Sequence, residues 1–142
     1  MKLESILATK GQQVFTTRPS TPLSDAVREL AANNIGALIV LDERDQPAGI
    51  LSERDLIRAL AKDPAALQGT VADLMVTDIV TGAPGDDANA VLRTMTNRRF
   101  RHLPVIQDGV LAGMITLGDL VKAQLAEMQG TVETLETQLM ES

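Results

Sequence analysis

Two stretches of the sequence place a hydroxyl three residues ahead of a carboxylate: Ser52-Glu53-Arg54-Asp55 and Thr116-Leu117-Gly118-Asp119. Each follows an aliphatic run that reads as a strand and opens a periodic run that reads as a helix. A hydroxyl at such a junction stands beside unpaired N–H groups and the positive end of the helix dipole, a place receptive to phosphate. A carboxylate one turn further on can accept two hydroxyl hydrogen bonds from a ribose, each charge-assisted and worth about 1.5–3 kcal/mol. The same spacing also describes a capping box, in which hydroxyl and carboxylate satisfy the backbone with no ligand present. For one copy alone the capping box is the stronger reading, whereas two copies facing a shared cleft turn the balance toward a ligand.

A second concentration of chemistry is RTMTNRRFRH, Arg93 to His102, with four arginines and the sole histidine of the chain. Arg93, Arg98 and Arg99 read as a solvated helix face whose cations complement the C-terminal end of the dipole. Arg101 and His102 lead directly into a buried strand, and are candidates to meet an anion, for which the Arg fork is well matched. One histidine without a paired nucleophile or metal partner is a poor basis for acid–base catalysis, so no enzyme is expected. The absence of cysteine removes disulfides, thiolate metal sites and cysteine nucleophiles together. Asp42-Glu43-Arg44-Asp45 lacks the spacing of a calcium loop and reads as a charged hairpin turn.

The elements that must position these residues come in duplicate. At an offset of 65, Thr16 meets Thr81, Pro19 meets Pro84, Arg28 meets Arg93, Leu38 meets Leu103 and Val40 meets Val105. After the loss of one residue in a loop, Ala48–Ser52 lies over Ala112–Thr116 and Asp55-Leu56 over Asp119-Leu120. The lead-ins correspond too, Ser5-Ile6-Leu7 over Asp73-Leu74-Met75. Each repeat reads as a strand near Val14 or Ile79, a helix of about three turns, two buried strands around a polar turn, and a second helix. The expected class is α/β, or α+β: two β-α-β-β-α repeats over 8–64 and 73–127, packed sheet to sheet about a pseudo-twofold axis. A helical extension, 128–142, is expected beyond them. A unit of about fifty residues cannot bury its sheet alone, and the clefts where two such units meet are favoured ligand sites.

The 142 residues suffice for one compact domain or two small fused units, and 13 Lys+Arg against 19 Asp+Glu leave a net charge of −6. That balance argues against nucleic acid or an anionic membrane as a generic partner, and with two Phe, no Trp and no Tyr there is no stacking platform for single strands. No signal peptide or membrane-spanning run is legible, so the cytoplasm is the expected setting.

The doubled unit, with Gly-Ile-Leu-Ser-Glu-Arg-Asp-Leu at 49–56, Gly-Met-Ile-Thr-Leu-Gly-Asp-Leu at 113–120 and Arg-His-Leu-Pro-Val at 101–105, resembles a tandem pair of cystathionine-beta-synthase (CBS) domains, the Bateman module. The resemblance covers about residues 1–127 and implies a non-enzymatic regulatory module. Its implied ligands are adenine compounds: AMP, ADP or ATP, with NAD or S-adenosylmethionine as further members of the class. Their implied place is the pair of clefts between repeats. It further implies that Ser52 and Thr116 bond phosphate, that Asp55 and Asp119 hold ribose hydroxyls, that Arg101 and His102 form the basic pair, and that the loops at Thr17-Arg18 and Gly82-Ala83 line the base and ribose.

The two clefts are expected to differ. Where the second repeat offers Arg101 and His102, the first offers Gly36 and Ala37, with Arg54 as a compensating cation, so a phosphorylated ligand should prefer the Thr116–Asp119 cleft. Beyond Asp119, Val121, Leu125, Met128, Val132, Leu135 and Leu139 follow one another at steps of four and three, a heptad-like seam. A homodimer is expected, with the modules associating through their helices, as the resemblance implies, and the tails pairing with each other or with an unknown client protein. The competing expectation is a ligand-free interaction scaffold whose Ser/Thr and Asp residues only cap helices and whose cleft is filled by side chains such as Arg54 or Phe100.

Overall fold

The computed structural model describes residues 1–141. In chain order it contains α1 (Leu3–Lys10), β1 (Thr16–Thr17), α2 (Leu23–Asn33), β2 (Ala37–Leu41), β3 (Pro47–Ser52) and α3 (Glu53–Lys62). A short 3-10 turn then leads to α4 (Val71–Leu74), α5 (Ala88–Arg98), β4 (His102–Gln107), β5 (Val110–Thr116) and α6 (Leu117–Glu141). This is the doubled α+β unit with a long C-terminal helix.

Both repeats fold from the same local instructions. α2 and α5 are each 11 residues long, and each ends at a residue with a left-handed backbone, Asn34 (φ 51°) and Arg99 (φ 58°), one repeat offset apart. That turn reverses the chain into the first hairpin strand of its repeat. In both hairpins the register sets the residue after the αL turn's exit against the helix-opening hydroxyl: Ala37 lies opposite Ser52 and His102 opposite Thr116. The lead strands differ from the sequence expectation. β1 falls at Thr16–Thr17, parallel to β2, and its counterpart in the second repeat shrinks to a single parallel bridge, Gly82 to Val105. Pro84 and the Ala83–Asp86 turn leave no further chain free to pair there.

Side-chain alternation divides each sheet into two faces. Leu38, Val40 and Leu51 join Leu23, Ala26, Leu30, Leu56 and Val71 in one core; Leu103, Val105 and Ile115 join Ala88, Met95 and Leu120 in the other. Ile39 points to the opposite face and is fully buried, which a single sheet of this size achieves only against the second sheet. The two hairpin turns touch as well, through the Gln46 amide donating to the Gly109 carbonyl at 2.9 Å.

The lead-in helices do not stay with the repeat they precede. Leu3, Ile6 and Leu7 of α1 pack into the core of the second repeat, and Val71 of α4 packs into the first. Two glycines at matched strand positions make room: a Cβ on Gly113 would stand 2.7 Å from Leu7 Cδ2, and one on Gly49 would stand 2.9 Å from the Val76 carbonyl oxygen. The chain's first helix is therefore laid across β5, and its last residue, Lys10, arrives beside the start of α6.

Candidate functional site

Between the repeats lies a cavity of about 360 Å³, within the usual small-molecule range of about 300–1,000 Å³. The second repeat contributes His102, Met114 and Thr116; the first contributes Ile35, Gly36 and Ala37; and the segment from Lys10 through Phe15 closes it. Gly11 (φ 98°) ends α1 and lets the chain turn along the cavity wall. Its lining combines apolar side chains, Val14, Phe15, Ile35 and Met114, with Lys10, His102 and the Thr116 hydroxyl at the start of α6.

Both hydroxyl–carboxylate pairs form capping boxes. At the first, the Ser52 hydroxyl donates to Asp55 Oδ2 at 2.7 Å, the Ser52 N–H reaches the same oxygen at 3.2 Å, and the Asp55 N–H returns to Ser52 Oγ at 3.2 Å. At the second, the Thr116 N–H donates to Asp119 Oδ2 at 2.8 Å and the Asp119 N–H to Thr116 Oγ1 at 3.1 Å. The second box carries an addition that sequence reasoning missed. Lys10 Nζ donates to Asp119 Oδ2 at 2.6 Å and to the Met114 carbonyl at 2.8 Å. Lys10 thereby stands between the cavity and the carboxylate. In the first repeat the carbonyl matched to Met114, that of Ile50, is met instead by the Val76 N–H at 2.9 Å.

The signal for Lys10 was present in the lead-ins. Sliding Ser5–Leu7 over Asp73–Met75 sets Lys10 over Asp78, opposite charges at matched positions. Nothing local, however, announces a contact spanning more than a hundred residues of chain.

Two groups beside the cavity have displaced protonation equilibria. Burial pushes the His102 imidazole below its usual 6.5; Asp55 and Glu53 pull it up, Arg101 and Lys10 push it down. Partial burial acts to raise the Asp119 carboxyl, but the hydrogen bonds from Lys10 and from the backbone and side chain of Thr116 outweigh it and hold the group below 3.8. The cleft is set at neutral pH with an uncharged imidazole and a charged carboxylate.

The remaining sequence candidates are dispersed. Arg101 and Arg54 are both exposed, and the Arg101 carbonyl accepts from the Leu117 N–H at 2.9 Å. Thr17 is buried in β1. The Arg18 guanidinium is tied to the Asp42 carbonyl and the Asp45 carboxylate, where it lines a separate open groove beside Pro19, Ser20 and the Asp42–Arg44 turn. Gly82 is engaged with β4 through Pro104 and Ile106, and the Ala83 N–H is held by Asp86 at 2.8 Å. The cavity is walled by residues 10–15 and not by these two loops.

A doubled β-α-β-β-α module with a cleft between its repeats and a hydroxyl–carboxylate pair opening the last helix of each defines a class of paired small-molecule-binding folds. The chain belongs to the CBS domain family, whose model matches residues 5–62 and 71–126. It is 37% identical to a CBS-domain containing protein from Agrobacterium tumefaciens, over 87% of this chain and 92% of that one, with a TM-score of 0.82. A mitochondrial CBS domain-containing protein of Arabidopsis thaliana is 32% identical over 88% of this chain, which spans 63% of that relative's length. The CBS domain pair of protein MJ0100, solved in complex with 5-methylthioadenosine and S-adenosyl-L-methionine, shares the fold at 21% identity and a TM-score of 0.79, over 89% of this chain and 98% of that one. Among the described residues no helix is long and apolar enough to cross a membrane.

Proposed function

We propose that this CBS-domain pair is a non-enzymatic regulatory module that binds an adenine nucleotide between its repeats and passes occupancy to a client protein. The observation that carries this reading is the cavity itself, which brings apolar side chains from both repeats together with the Thr116 hydroxyl, Lys10 and His102. An adenine ring would lie against Phe15 and Val14. Phosphate would meet the Thr116 hydroxyl, the α6 N-terminus, Lys10 and His102, with Arg101 at the rim. Asp119 would accept the ribose hydroxyls once Lys10 turns to the phosphate. A second cleft would use Ser52, Asp55 and Arg54, and backbone at Thr17, Arg18, Gly82 and Ala83 would contribute shape. AMP, ADP and ATP fit this charge pattern best. S-adenosylmethionine and NAD share the adenosine, and the bound ligands of MJ0100 support that wider class. A ligand that touches both repeats binds one relative setting of them more tightly than another, and that differential affinity is what a client can read.

With no Trp and no Tyr, the purified protein barely absorbs at 280 nm, so a band near 260 nm reports bound adenine almost without background. The expected result is an adenine compound near one per chain, released on unfolding and identified by mass. The scaffold reading has its own support, since the two capping boxes and the Lys10–Asp119 bond satisfy both carboxylates without a ligand. An empty spectrum together with an unshifted melting curve in saturating AMP, ADP, ATP, NAD and S-adenosylmethionine would establish the scaffold. Consumption of ATP or AMP in a turnover assay would overturn the non-enzymatic assignment.

A further inference from the structure

α6 runs 25 residues, but only its opening turns belong to the module. Leu120 is buried in the second core, and the Glu127 carboxylate lies 3.7 Å from the N-terminal ammonium of Met1. From Gln124 to Glu141 every residue is exposed. Along that length runs one apolar stripe: Val121, Leu125, Met128, Val132 and Leu135, each between 44% and 58% exposed. A helix draws most of its stability from packing an amphipathic face, and Gly130 in the middle of this one weakens it further. The stripe repeats at alternating steps of four and three, the spacing of a two-helix seam and narrower than the face a globular core requires.

The residues flanking the seam select the partner and its direction. On one edge stand Lys122, Gln129 and Glu136; on the other stand Gln124, Thr131 and Gln138. Neither Lys122 nor Glu136 has an ion-pair partner among the described residues. Two parallel copies would set Gln124 against Gln129 and Thr131 against Glu136, with no ion pair. Two antiparallel copies, with Met128 opposite Val132 and Leu125 opposite Leu135, bring Lys122 of each copy to Glu136 of the other. The charges are self-complementary in that direction alone.

We propose that the α6 extension pairs with the α6 extension of a second copy of this chain as an antiparallel two-helix coiled coil centred near Gly130, with one CBS pair at each end. Apolar side chains close the seam, and the two Lys122–Glu136 pairs set its direction. The pairing is independent of whether the cleft holds a nucleotide.

The chain has no cysteine, so introduced thiols report without interference. Met128→Cys and Val132→Cys chains, one carrying a size tag, would be mixed and oxidised at micromolar concentration. The antiparallel seam gives the mixed 128–132 disulfide as the main product. Predominance of the 128–128 and 132–132 products would overturn the direction, and absence of any cross-link would overturn the pairing. In sedimentation at low salt, Glu136→Lys should weaken the dimer about tenfold, and adding Lys122→Glu to it should restore the affinity. A dimer indifferent to both changes, or a monomeric full-length chain, would equally overturn the proposal.

Discussion

At the residue scale the decisive contact is Lys10 on Asp119. In the proposed nucleotide complex the lysine would compete with a ribose for the carboxylate while supplying a cation for phosphate, so its two effects would separate by ligand. Lys10→Met should leave adenosine binding unchanged or tighter and weaken AMP several-fold; calorimetric titration of both ligands checks this, and parallel losses would refute the competition. Asp119→Asn should cost at least about tenfold in nucleotide affinity, since charge-assisted bonds to hydroxyls are lost. Asp55→Asn should cost less, because Ser52, the hydroxyl it pairs with, does not line the inter-repeat cavity as Thr116 does. His102 adds a pH dependence whose sign is fixed. Its folded-state pKa lies below the unfolded 6.5, chiefly through burial. The stability it contributes is therefore fully present above pH 6.5 and lost as pH falls through the folded value. In the proposed complex a phosphate beside the ring would favour the imidazolium, so affinity would gain a component that strengthens as pH falls through the imidazole's range. His102→Gln should remove that component and flatten the acid limb of stability. Phosphate protonation is common to both proteins, so titrating the two side by side at about pH 5.5 and 7.5 isolates the imidazole.

At the element scale the swapped lead-ins decide where the cleft residues stand. The two glycines that admit them are not equally replaceable. A Cβ on Gly49 would meet the Val76 carbonyl at 2.9 Å, fixed backbone already bonded to β3, whereas one on Gly113 would meet the end of the Leu7 side chain. Gly49→Ala should cost roughly 1–3 kcal/mol by forcing strand and lead-in apart, and Gly113→Ala less, because a leucine can change rotamer. Denaturant melts of the two variants give the comparison directly, and an equal or reversed order would contradict the backbone argument. This level also marks how far the sequence could be read. The doubled element order, the α2 and α5 lengths, the buried hairpin strands and the hydroxyl–carboxylate boxes are local patterns, and they are legible because cap, turn and periodicity act within a few residues. The exchange of α1 and α4 between repeats was not legible. Leu3 and Leu7 look the same in sequence whichever core receives them, and the gaps at Gly49 and Gly113, one at the same position in each repeat, do not tell the two cores apart. The capture of Arg18 by Asp42 and Asp45 was hidden for the same reason: a strand and a hairpin loop remote in sequence meet only in the folded sheet.

At the scale of the whole molecule, the exchange makes the two repeats one folding unit. The second core is closed by Leu3 and Leu7 from the chain's start, and the first is closed by Val71 from the segment leading into the second repeat. Neither repeat can open without withdrawing an element from the other, so unfolding should be a single transition. Leu7→Ala, in the second core, and Leu51→Ala, in the first, should each cost about 2–5 kcal/mol and move the same melting curve. Two resolved transitions, each shifted by only one of the variants, would refute this coupling. The coupling also fixes how a nucleotide acts on stability. A ligand in the cleft would touch residues 10–15, which join α1 in the second core to β1 in the first, so its binding energy would reach both. At about a hundredfold over the dissociation constant it adds about 2.7 kcal/mol, a rise of roughly 10 °C shared by the whole transition. Were the ligand to split the melt into a stabilised half and an unshifted half, occupancy could not be transmitted through the lead-in. A shift of the undivided curve, lost in Asp119→Asn and retained in Asp55→Asn, would tie the regulatory signal to the cleft that Lys10 guards.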